Sequence, residues 1–167
     1  MATTYEPIAT TTLSSAGTIT FSSIPSTYTD LRVVLTGTGT TNGDNVRLIL
    51  NSDTGTTYSY TEIYGDGTNR YCVSSTNQFN MYLNSNNANL SDTIPTMYTI
   101  DFFQYANTGV LKTFLATANM DLNGSGSVAY TIGTWRSTSA ITTINLTNGA
   151  ASYKIGTTAT LYGIKAA

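Results

Sequence analysis

Nine carboxylates, seven basic side chains and one thiol are all that this 167-residue sequence offers for acid–base, nucleophilic or metal chemistry, and it contains no histidine. Histidine titrates nearest neutrality and is the commonest metal ligand, so its absence removes the usual general base and the usual transition-metal site. Cys72 has no imidazole to activate it and no second cysteine to pair with, and is expected to be a packed small hydrophobe. Carboxylate pairs remain. A glycosidase needs two of them facing each other across a sugar, one with a raised pKa. Glu62 and Asp101 are the strand-borne pair that a sandwich groove could bring together. Asp44, Asp53, Asp66 and Asp92 lie near turns, where a carboxylate commonly accepts backbone N–H bonds instead. The run Asn51-Ser52-Asp53-Thr54-Gly55, with Glu62 at its twelfth position, has half the pattern of a calcium loop. Thr56 stands where that loop requires glycine, and Gly55 supplies no side-chain ligand, so a hairpin turn is expected there. No catalytic residue, metal ligand or cofactor site is assigned, and the chain reads as a non-enzyme.

Recognition chemistry is better supplied. Tyr58, Tyr60 and Tyr64 share one face of a strand pattern with Glu62. Tyrosine stacks on sugars, anchors subunit contacts and lines the rim of a core equally well, so this face is a candidate for an interface or a glycan, and equally for a core rim. Trp135, at the end of a strand pattern beside Arg136, is expected to plug one end of the core, with cation–π stacking as an added contact. The net charge is −2 and the basic residues are scattered from Arg32 to Lys165, so no basic stripe exists to neutralise phosphates and no nucleic-acid partner is expected. The first residues carry neither the basic nor the apolar part of a secretory signal, and no stretch approaches the ~20 apolar residues of a membrane span. A soluble chain with no membrane partner is expected. The sequons at Asn89, Asn123 and Asn145 are what a sequence rich in Asn, Ser and Thr produces by chance.

Strands must position these residues. Apolar alternation of period two recurs along the chain, and no window sustains a helical stripe. Strands are expected at 8–13, 18–21, 31–36, 46–50, 58–64, 78–83, 97–103, 112–120, 127–135, 141–146 and 158–164. Leu31, Val33 and Leu35 alternate with Val34, and Val46, Leu48 and Leu50 with Ile49, which marks two central strands apolar on both faces. Asn42-Gly43, Asp66-Gly67, Asn123-Gly124 and Asn148-Gly149 supply the positive backbone angles of tight hairpins. The fold class is therefore all-β: an antiparallel β-sandwich, jelly-roll-like, of about eleven short strands. Residues 1–9, with Tyr5 and Ile8, read as an N-terminal arm for assembly, and residues 10–167 as a single sandwich domain. The polar run Asn84–Asp92 reads as a surface loop on which recognition residues could be mounted.

The phrases Ile19-Thr-Phe-Ser-Ser-Ile-Pro-Ser-Thr-Tyr-Thr-Asp-Leu-Arg32, Asn51-Ser-Asp-Thr-Gly-Thr-Thr-Tyr58 and Gly156-Thr-Thr-Ala-Thr-Leu-Tyr-Gly-Ile-Lys165 together resemble a group of small virion-associated proteins of tailed bacteriophages of aquatic bacteria, including cyanophages. The likeness spans nearly the full chain and carries no catalytic signature. It implies a virion structural protein, on the capsid exterior or in the tail. The leading expectation is a decoration or cement protein, a homotrimer that stabilises the head by binding the major capsid protein. The alternative is a tail-fibre module that binds a host surface glycan.

Overall fold

The computed structural model describes residues 4–83, 90–121 and 125–165. Among the described residues twelve strands occur: β1 (Tyr5–Thr12), β2 (Ile19–Phe21), β3 (Asp30–Gly37), β4 (Val46–Leu50), β5 (Tyr58–Gly65), β6 (Arg70–Gln78), β7 (Met81–Tyr82), β8 (Thr96–Phe103), β9 (Lys112–Asp121), β10 (Gly126–Trp135), β11 (Ile144–Asn148) and β12 (Thr158–Ile164). They form two antiparallel sheets, one of eight strands in the order β1-β12-β3-β8-β9-β10-β5-β6 and one of four in the order β2-β11-β4-β7. The division of eight against four is less even than the four against four of a jelly roll. Alternate residues of both sheets meet in one apolar cluster: Leu31, Val33 and Leu35 of β3, Ile100 and Phe102 of β8 and Phe114 of β9 belong to it with Leu48, Ile144 and Leu146 of the smaller sheet. β3 and β4 each lie between two neighbours, as their two-faced apolar patterns require. Gly67, in the β5–β6 hairpin, and Gly43, in the turn by which the chain crosses from β3 of the larger sheet to β4 of the smaller, have φ of 86° and 85°, a region where a side chain is strained.

The edges of the large sheet depart from the sequence reading. Residues 5–9 are no free arm: β1 pairs with β12 from Tyr5↔Ile164 to Thr12↔Thr158, with an irregularity between Pro7 and Ala9. Tyr5 stacks on Tyr162 with ring centroids 4.7 Å apart, and Ile8 packs against the core. Glu6 accepts a hydrogen bond from the Tyr28 hydroxyl at 3.1 Å and pairs with Lys165 at 3.4 Å. Pro7 and the irregularity blunt this edge against further pairing. Deleting residues 1–9 is therefore expected to cost about 2 kcal/mol or more from the lost stack and hydrogen bonds. A urea midpoint equal to that of the full chain would show that β1 contributes nothing.

At the other edge, β6 occupies a stretch where no strand was expected, and the expected strand at 78–83 resolves into the end of β6 and the two-residue β7. Most residues of β6 are exposed. On its inner face Val73 packs against the core and Tyr71 stacks on Tyr64, but its other residues are polar or exposed, so Arg70-Tyr71-Cys72-Val73-Ser74-Ser75-Thr76 shows little of the apolar alternation that marks the other strands.

Candidate functional site

The tyrosine face of β5 is interior. Tyr58 is fully buried, and Tyr60 and Tyr64 are each 6% exposed beside a fully buried Glu62. The Tyr58 hydroxyl donates to the Asp53 carbonyl and accepts the Leu50 amide, both at 3.0 Å, and burial pushes its pKa up to about 12. These three tyrosines are core, and neither a glycan nor a subunit face lies on them. Glu62 and Asp101 do not meet: Glu62 points into the sandwich, while Asp101 accepts hydrogen bonds from Arg32 on the opposite side of the same sheet, at 2.6 and 2.9 Å.

The calcium-like run is a turn held by its aspartate. Asp53 accepts the Gly55 amide on Oδ1 and both the Thr57 hydroxyl and the Trp135 indole N–H on Oδ2, at 2.7 to 2.8 Å. The indole bond leads in holding this carboxyl below its ordinary range, with help from the Gly55 amide and the Thr57 hydroxyl. Trp135 is the buried plug anticipated, but Arg136 reaches Ser59, Asn77 and the Thr56 carbonyl. Beside the plug, the buried Lys112 caps three carbonyls, those of Asn107, Val110 and Thr138, at 2.5 to 3.1 Å. Among the described residues no three His, Cys, Asp or Glu side chains gather to hold a metal. Of the Asn84–Asp92 loop, residues 84–89 lie outside the described residues; Leu90 and Ser91 are buried. The Asn123-Gly124 turn and the sequons at Asn89 and Asn123 also lie outside them.

What remains is the outer face of β6, β5, β10, β9 and β8. Cross-strand partners share a face, so the ladders define its rows. One row runs Cys72–Ile63–Tyr130–Thr117–Thr99. The flanking rows run Arg70–Gly65–Val128–Asn119–Met97 and Ser74–Thr61–Ile132–Leu115–Asp101. Ile63, Val128, Tyr130 and Ile132 are 57 to 62% exposed, and Met97 and Phe103 at the sides are 44% exposed. Cys72, expected to be packed, is exposed in this face. Charge is confined to the rims, with Arg70 and Asp121 at one end and the Arg32–Asp101 pair at the side.

On β10 the usual allocation of size is inverted. Ala129, Thr131 and Gly133 point into the core while Val128, Tyr130 and Ile132 point to solvent. The interior has no room for larger groups there, since a Cβ on Gly133 would lie 2.1 Å from the Phe114 ring and 2.4 Å from the Met81 sulfur. That inversion is the signal in the sequence that points to this face, once the inward side of β10 is known. Comparison with known protein families, with curated proteins and with solved structures found no match.

Proposed function

We propose that this protein is a non-enzymatic structural component of a tailed-bacteriophage virion, a decoration or cement protein on the outer shell that strengthens the head by binding the major capsid protein. The observation that carries this reading is the outer face of the larger sheet, a broad, nearly uncharged surface with large apolar residues set outward on a rigid ladder. Such a surface suits assembly, because contiguous exposed apolar area of this kind marks protein contacts. The sequence resemblance supplies the virion context, and the sandwich supplies a stiff body that can span neighbouring capsomers and add contacts against internal pressure. The tail-fibre reading loses the tyrosines proposed to bind a glycan, since Tyr58, Tyr60 and Tyr64 are enclosed in the core, and keeps the Asn84–Asp92 loop, most of which lies outside the described residues.

The test is stoichiometry in purified particles, with this polypeptide quantified against the major capsid protein and the particles imaged. Hundreds of copies on the shell are expected. A few copies confined to the tail, or none on the particle, would overturn the proposal.

A further inference from the structure

We infer that the partner on the outer face of β8, β9, β10, β5 and β6 is a second copy of this chain, so that the protein self-associates by packing sheet against sheet. The inference rests on the reading of this face as an assembly surface and is independent of the virion assignment.

Area is the first argument. Five strands spaced ~4.8 Å apart, each contributing about eight residues at ~3.4 Å, cover roughly 650 Å² in projection. That approaches the ~800 Å² each partner gives to a stable interface. The apolar band of Ile63, Val128, Tyr130 and Ile132 lies on two adjacent strands, β5 and β10, with Met97 and Phe103 of β8 toward the side. Polar residues beside it are chiefly hydroxyls, Thr61, Ser74, Thr99 and Thr117, with charge only farther out, giving the apolar centre and polar surround of a protein contact.

Charge is the second. Away from its rim this face offers almost no charge. Asp101 is already neutralised by Arg32 at 2.6 Å. A neutral face built of Ile, Val, Tyr and Thr meets its own copy without like-charge repulsion, which is what a self-complementary contact requires. Two such sheets can pack at the ~10 Å separation of sandwich layers.

Sedimentation and light scattering of the full chain over a dilution series read the result directly. The wild type is expected to run at twice its 17.8 kDa mass. The double substitution Ile63→Lys with Tyr130→Lys is expected to run as a monomer with at least a ~100-fold higher dissociation constant, because it buries unpaired charge at the centre of the contact. Both positions point outward, so its circular dichroism and thermal midpoint are expected to match the wild type measured under dissociating dilution. Thr10→Lys, on the same side of the sheet but out on β1, is expected to keep the wild-type mass. A wild type that is monomeric at the highest concentration, or a folded double variant that keeps the wild-type mass, overturns the inference. A monomer that nonetheless coats capsids would refute self-association and leave decoration standing. A self-associating chain absent from particles would do the reverse.

Discussion

Above pH 10 the fold is expected to come apart in one cooperative step. Tyr58, Tyr98 and Tyr153 are fully buried, and burial pushes the Tyr58 hydroxyl up to about 12 and the other two well above the ordinary tyrosine range. In the unfolded chain a tyrosine loses its proton near pH 10. Below that pH these groups are protonated in both states, and the stability they confer is fully present. As pH rises from 10 toward 12, the unfolded chain sheds three protons that the folded chain retains. Stability then falls by roughly 4 kcal/mol per pH unit, enough to consume an ordinary margin within two units. Far-ultraviolet circular dichroism and phenolate absorbance near 295 nm, followed together, are expected to show the ionisation of these three tyrosines coincident with loss of sheet signal. Complete phenolate absorbance at pH 11 in a folded protein would show that the three reach solvent without unfolding.

Trp135→Ala is expected to lower stability by about 3–5 kcal/mol, the range for deleting a large buried aromatic. Trp135 ends β10, lies opposite Tyr58 on one side and Lys112 on the other, and is 3% exposed. Its removal empties the end of the core and strips Asp53 of one of three donors at the turn after β4. Trp135→Phe, which keeps most of the volume, is expected to cost about 2 kcal/mol, the share of a hydrogen bond to a charged group. In urea unfolding, that cost and the cost of Asp53→Ala are expected to add to more than the double substitution loses, since both remove one bond. Strict additivity would show that the indole–carboxylate contact carries no energy of its own.

Much of the fold was legible because a strand half in the core must alternate. Val46–Leu50 and Thr158–Ile164 match the expected ranges to the residue, and β3, β5, β8, β9 and β10 to within one or two. The turn after β5 was legible for the same local reason, since Asp66-Gly67 folds back through the Asp66 carboxylate onto the amides of Thr68 and Asn69. β6 was not, because a strand that meets the core through little more than Val73 has little alternation to show. Residues 1–9 read as an arm and 8–13 as a strand, yet Tyr162, Tyr28 and Lys165 hold Tyr5 and Glu6 on the sheet, so that β1 begins at Tyr5.

The sequence by itself determined the class of the protein: absent histidine, sparse charge, β-branched and aromatic strands, and turns of Asn-Gly and Asp-Gly admit an antiparallel sandwich. It also determined that residues on β5 and β10 divide into two alternating sets. Which set faces inward was decided only by tertiary structure. Period two separates the faces of a strand without orienting them, and orientation depends on what the second sheet presents. On β5 the core had space for Tyr58, Tyr60 and Tyr64, so Ile63 was left outside; on β10 Phe114 and Met81 already filled that space, so Gly133 went inward and Ile132 outward. The candidate assembly face thus arises from packing volumes contributed by residues distant in the chain, which no local pattern records.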